Sequence, residues 1–449
     1  MVSRAGQRQL ARKRFAFIVV IVILLAAFAM AGCGGGGATG GGNTPTPTPT
    51  PTPPTPTPTP LPAGTIELKV LDTTVSPGGI YQYQLGTTEP KPIGHGSTRP
   101  QVPTGPVGPV RGTAINDPSG VAAGIAVINS SGISVQLVGA NLNSTLGTNI
   151  AYPLLTISMP VLNTATPGST FVTSFDVANS SFFDASNAAY TTILQPANGS
   201  LTIDQAGRPY VSDLVPSGGL LPDRTVVKIF GANFTANTRV AIEDTTIFPA
   251  DTTLISSSEI DVKICNGTIP PAATSCPGGG PALQLDGERV RVRDTSFTPT
   301  SQIDYYTYLR SDDVAGTSSN TLVTQVHPMY SRVTYTTATI PLVNTGTQFT
   351  GMSLQNTAAT DATIKIELLN SSNASLAPPA TFSFILPGLS GAATAGKRIT
   401  RDVIADWFGG SVPAGAANVR MTVSPGPAIQ ALGMLGNTST GVVTPVIPQ

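Results

Sequence analysis

The sequence predicts an all-β protein, a row of tandem β-sandwich domains behind a signal peptide and a proline-rich linker. Three observations carry that expectation. Period-two alternation recurs from Thr65 onward: Ile66, Leu68 and Val70 alternate with Glu67 and Lys69, and Tyr81, Tyr83 and Leu85 with Gln82 and Gln84. Clusters of Gly, Pro, Asn and Asp punctuate these runs, as turns between short strands require. Charged residues are only 11% of the chain, against 47 Gly and 41 Pro, a composition that suits short strands and many turns.

Residues 1–32 read as a lipoprotein signal peptide. Arg4, Arg8, Arg12, Lys13 and Arg14 make a basic head without an acid, and Phe15 to Gly32 is an unbroken apolar run. Met30-Ala31-Gly32-Cys33 resembles the bacterial lipobox, in which small residues precede a cysteine that is lipidated and becomes the new N-terminus. The resemblance implies a lipid on Cys33. An uncleaved span is the other reading, because the apolar run is just long enough to cross a bilayer. Both expect a cell-envelope protein, membrane-anchored and extracytoplasmic, at the outer surface or in the periplasm.

Residues 33–64 form a linker. Gly34 to Gly42 carries almost no side chains, and Thr44 to Pro62 has proline at nearly every second position. Alternate backbone donors are therefore missing, which rules out helix and sheet. Polyproline II, at about 3.1 Å per residue, gives the repeat a reach of roughly 60 Å. The linker would lift the remainder of the chain clear of headgroups.

Beyond the linker lie three blocks: residues 65–205, 206–312 and 318–445. Without the leader, 19 basic residues face 24 acidic ones, so no basic excess points to nucleic acid. In the first block, Ile133, Val135 and Leu137 alternate, as do Leu155, Ile157 and Met159, each predicting one face to a core and one to water. "VSPGGIYQYQL", "GTNIAYPLLTISMPVLNTATPGSTFVTSF" and "PANGSLTID" resemble successive strands and turns of a cohesin domain, which implies a jelly-roll sandwich. The middle departs from that pattern. "GHGSTRPQVPTGPVGPVRGTAIND" is too proline-rich for a central strand, and that strand belongs to the face with which cohesins bind dockerins, so dockerin binding is not carried over.

The second block resembles an IPT/TIG domain, an immunoglobulin-like sandwich. The matching residues are "VSDLVPSGGLLPDRTVVKIFGANF" with its Gly231-Ala232-Asn233-Phe234 corner, then "TRVAIED", "GERVRVRD" and the terminal Tyr306-Thr307-Tyr308. The third block alternates in "TIKIELL" and "VRMTVSP" and resembles β-sandwich modules at the ends of bacterial surface proteins. Its "TRDVIADWFGG" is the one helical pattern, with Val403, Ile404, Trp407 and Phe408 on one face, Thr400 as start cap and Gly409 as end cap.

Candidate chemistry is sparse. Cys265 and Cys276, in "CNGTIPPAATSC", predict a disulfide closing a surface loop, worth on the order of 3 kcal/mol. A metal pair is the weaker reading, since no His, Asp or Glu lies between or beside them. His95 and His327 stand apart from any Ser–Asp or Cys arrangement and are expected at the surface. "GAATAGKR" mimics a P-loop, but Arg398 stands where magnesium would need Ser or Thr, so no nucleotide cofactor is expected. Arg289, Arg291 and Arg293 share a strand face, with guanidiniums about 7 Å apart that could grip an anionic polymer such as an acidic polysaccharide; pairing with acids on neighbouring strands is the plainer reading.

No catalytic residue, metal or cofactor is expected. The expected function is non-catalytic adhesion or scaffolding by a surface lipoprotein, through polysaccharide or a surface protein. The alternative is a carbohydrate-binding or enzyme-docking component of a polysaccharide-degrading system. Radioactive palmitate should label the wild-type protein and not Cys33→Ala, in which the anchor has no thiol to acylate.

Overall fold

The strand Ile80–Thr87 is buried along its whole length. Tyr81, Tyr83 and Leu85 enter a core with Ile66, Leu68, Val70 and Ile157, as the alternation predicts. The opposite face, expected to meet water, is covered as well: Gln82 is 3% exposed and Gln84 7%. Ile80, on that same face, belongs to a different core, with Val211, Ile229 and Tyr305. A second sandwich packs on what the alternation marks as the solvent side.

The structure, a computed structural model, describes residues 61–449 except 90, 116–121, 130–131, 140–152, 205–206, 243–244, 247–250, 266–273, 298–299, 311–324 and 389–397. The expected leader, lipobox and most of the linker lie outside the described residues. The regular structure of the described part is nearly all strand and forms tandem sandwiches, in agreement with the predicted class.

In the first sandwich, Ile80–Thr87 lies between Thr65–Val70 and Leu155–Pro160, and Gly112–Ile115 adds to the same sheet. A second sheet centres on Thr170–Phe175 and Gly199–Ile203, and a third on Ala123–Asn129 and Gly132–Val138. The proline-rich insertion does hold strands. Pro100–Gln101 takes a sheet edge, where a missing donor costs nothing, but His95–Thr98 is interior to its sheet.

The second sandwich packs Tyr210–Val215, Val226–Ala232, Glu259–Lys263 and Thr252–Ser256 against Thr238–Ile242, Arg289–Asp294 and Ser301–Tyr306. Its predicted corner is tight: a Cβ on Gly231 would stand 1.8 Å from the Tyr210 carbonyl, Asn233 adopts φ +61°, and Phe234 plugs the core. The third sandwich pairs the sheet of Ile429–Asn437, Gln348–Gln355, Arg398–Asp402 and Val442–Val446 with that of Ala362–Leu369, Asn418–Val423, Thr337–Pro341 and Thr381–Leu386. Ile364, Ile366, Leu368, Val419 and Met421 are fully buried there.

The linear division expected at 205, 312 and 318 is not how strands are shared. Leu309–Arg310 pairs with Gly112–Ile115, and Gln325–Met329 pairs along five residues with Ala123–Asn129, so the chain returns to the first sandwich after completing the second. Ala123, Ile125 and Val127 then face Leu432, Met434 and Val443 in a core common to the first and third sandwiches. Ile429–Asn437 is another strand covered on both sides, with Ile429 and Ala431 in the third core and Leu432 and Met434 in the shared one.

The helical pattern yields one five-residue turn, Val403–Trp407. Asp402, not Thr400, caps it, accepting from the Ile404 and Ala405 amides at 3.0 Å each. Thr400 lies in the preceding strand, within 2.8 Å of the Ser353 hydroxyl. Gly409, at φ +67°, ends the turn as expected, and Trp407 packs against both Phe382 and Phe384.

Shared cores make the sandwiches thermodynamically dependent. Leu432→Ala empties space between the first and third, and should cost about 2–5 kcal/mol. Urea unfolding followed through near-ultraviolet signals should shift as one transition. A shift confined to the Trp407 region would show that the third sandwich melts alone.

Candidate functional site

Cys33 lies outside the described residues. Cys265 and Cys276 are joined as a disulfide, their Cα atoms 5.4 Å apart. The joint is tied down around it: the Cys276 amide donates to Asp251 at 2.7 Å, and Arg224 donates to the Cys276 carbonyl at 2.9 Å. The Asp223 carboxylate is near both sulfurs, but bonded sulfurs are no metal ligands.

The three arginines do not form an open strip. Val290 and Val292 face the core as expected, and the arginines lie on the other face of the strand. Arg289 is 7% exposed, Arg291 donates to Asp304 at 3.1 Å, and Arg293 donates to Gln302 at 2.9 Å. Asp304 and Gln302 stand directly opposite them on Ser301–Tyr306, the cross-strand pairing that the plainer reading expects. Lys228 is likewise held between Glu259 at 2.6 Å and Asp261 at 3.6 Å.

The histidines divide. His95 is half-buried and stacks on Phe183 with ring centroids 4.3 Å apart. His327, expected at the surface, is 4% exposed, because Gln325–Met329 is drawn into the first sandwich's sheet. Burial, aided by the positive charge of Arg398, pulls its pKa down to about 3, so the imidazole is neutral. Of the P-loop look-alike, only Arg398 is among the described residues, and it is buried beside this group.

The joint between the second and third sandwiches gathers more charge. Glu288 is ion-paired with Arg332 and also accepts from the Asp286 amide. Burial pushes the Asp286 carboxyl up, the Glu288 charge adds to that, and Arg332 and Arg398 act the other way. No motif announces these residues, since they come from three separate segments.

The joint between the first and second sandwiches is polar in a different way. Gln82 spans it with both ends of its carboxamide: Nε2 donates to the Tyr306 carbonyl at 2.7 Å, and Oε1 accepts from the Tyr306 amide at 2.7 Å. Nε2 also reaches the Ser158 hydroxyl at 3.2 Å. Beside this clamp the two sandwiches part and leave a small cleft. Gln84 and Ser76 line it from the first sandwich, Tyr210 and Asp304 from the second, and Asp204 from the connection. The Tyr210 ring lies on the Gly78–Gly79 turn. A Cβ on Gly79 would stand 3.2 Å from the ring and 2.7 Å from Val75, so only glycine lets the ring settle there.

No protein-family model and no curated protein matches the chain. Solved structures do. The third cohesin of ScaC from Acetivibrio cellulolyticus, solved with the ScaB dockerin, matches 31% of this chain and 99% of its own at 16% identity and a TM-score of 0.26. The Coh-OlpA–Doc918 cohesin–dockerin complex from Clostridium thermocellum matches 31% and 99% at 18% identity and a TM-score of 0.24. SGBP-B from a complex xyloglucan utilization locus in Bacteroides uniformis matches 85% and 99% at 11% identity and a TM-score of 0.19. At scores this far below 0.5 these likenesses carry no functional argument.

The neutral state of His327 has a pH signature. A base whose pKa falls from 6.5 to about 3 on folding contributes stability that is full above pH 6.5 and fades as pH falls toward 3. The limit for one proton is about 1.4 kcal/mol per pH unit. Urea midpoints of wild type and His327→Gln should therefore draw together between pH 6.5 and 4; a constant gap would mean that His327 does not titrate on unfolding.

Proposed function

We propose that this protein is a non-catalytic binding component of the bacterial cell envelope, held to a membrane by a lipid on Cys33 and displayed on the proline stalk. Residues 61–449 are the binding head, acting in adhesion or scaffolding through a glycan or protein partner. The observation that supports this most is the fusion of the three sandwiches through shared cores. Such a body keeps its outer faces and joints in fixed register, which suits recognition by preformed surfaces.

The outer faces have the chemistry for contact. On the sheet of Thr170–Phe175, Thr170 and Thr202 hydroxyls meet at 3.1 Å, Ser174 donates to Gln101 at 2.6 Å, and Ser200 donates to Asp72 at 2.8 Å. On the sheet of Ala362–Leu369, Arg420 at 2.7 Å and Lys365 at 3.5 Å are held at the surface by the buried Glu367 carboxylate. These side chains are ordered before any partner arrives. Less rotamer freedom is then lost on binding, at about 0.5–1.5 kcal/mol for each side chain already held.

Affinity capture from envelope extract with the full chain in detergent, run beside a glycan array, tests the reading. An enriched partner protein or a bound glycan class is expected. Silence in both, with a folded bait, overturns it.

A further inference from the structure

The cleft between the first and second sandwiches holds polar groups that the fold leaves unused. Gln84 is 7% exposed and Ser76 8%, so both are more than nine-tenths buried, and both line the cleft. Among the described residues no group hydrogen-bonds to the Gln84 carboxamide or the Ser76 hydroxyl. Gln82, on the same strand face and two residues away, uses its carboxamide fully. Neither group is sealed from solvent: the polar atoms of both open onto the cleft.

We propose that this cleft is a subsite for one neutral sugar residue of a glycan, an inference that rests on reading residues 61–449 as a binding head. A sugar hydroxyl both donates and accepts, and so does each unused group: the Gln84 carboxamide and the Ser76 hydroxyl. Tyr210 adds a second hydroxyl and a ring seated on Gly78–Gly79, against which the C–H face of a pyranose can lie. Asp204 and Asp304 are acceptors for further hydroxyls and repel an anionic ligand. Arg291 is held by Asp304 at 3.1 Å. Ile80, Val75 and Ile303 line the remaining wall and supply apolar surface for ring carbons.

The charge of the cleft also separates this site from the arginine-bearing strand. An acidic polysaccharide would meet the Asp204 carboxylate here, and there a buried Arg289 and two guanidiniums already engaged by Asp304 and Gln302. Neutral glycans face neither obstacle.

Isothermal titration of the full chain in detergent with β-1,4-linked gluco-, xylo- and mannohexaose and α-1,4-linked glucohexaose tests the site, with a galacturonate hexamer as charged control. At least one neutral hexamer should bind. Gln84→Met keeps the side chain's length and apolar packing but removes its hydrogen bonds, and should weaken that hexamer about tenfold, with Ser76→Ala weakening it several-fold. Both variants should melt as wild type does, which shows that the fold is intact. The galacturonate hexamer should bind at least tenfold more weakly than the neutral one. A neutral hexamer that binds equally well to both variants overturns the cleft and leaves the binding head standing. Capture of a partner protein with no hexamer bound does the same. If neither glycan nor protein binds, the reading of the head fails as well.

Discussion

A strand can be dry on both faces only if two separate bodies of structure close over it. Ile80–Thr87, Ala123–Asn129 and Ile429–Asn437 all meet that condition, and the rest of the molecule depends on it. The first strand joins sandwiches one and two, and the other two strands join one and three. Because the chain returns from the second sandwich to add Gln325–Met329 to the first, the links close on themselves. No sandwich can then leave without exposing the core of another, and hydrophobic burial that would hold three independent domains holds one body.

The two kinds of joint differ in their physics. Between the first and third sandwiches the contact is aliphatic, Ile125 and Val127 against Leu432 and Met434, and it is stable without directional bonds. Where the other joints run, polar groups are buried, and each has to find a partner or impose a cost. Gln82 solves this by bridging to both backbone groups of Tyr306. Glu288 solves it with Arg332 and the Asp286 amide. His327 solves it by staying neutral. Gln84 and Ser76 have no hydrogen-bond partner among the described residues and open onto the cleft, and that contrast with Gln82 directs attention to it.

Arg289, Arg291 and Arg293 show the limit of reading a site from spacing. Their register on one strand face is as the alternation requires. The neighbouring strand, whose identity is a matter of topology, brings Asp304 and Gln302 opposite two of them, and the fold buries the third. A row of charges in sequence thus becomes a row of pairs in space.

Local sequence was enough for the class and for most strand cores. The alternation at Ile66–Val70, Tyr81–Leu85, Ile364–Leu368 and Val419–Val423 identifies the inward residues, because in a strand that information has a range of two residues. The Cys265–Cys276 spacing and the Gly231–Phe234 corner are legible for the same reason. What lies on the far side of a strand is not local. Gln82 and Gln84 have the polarity of a solvent face, and His327 that of a surface loop, yet all three are buried by segments more than a hundred residues away in the chain. Sequence determined which side chains turn inward in each sandwich. Only the tertiary structure decided that the outward ones would also be covered, since packing between sandwiches depends on the match of whole surfaces and leaves no periodic trace.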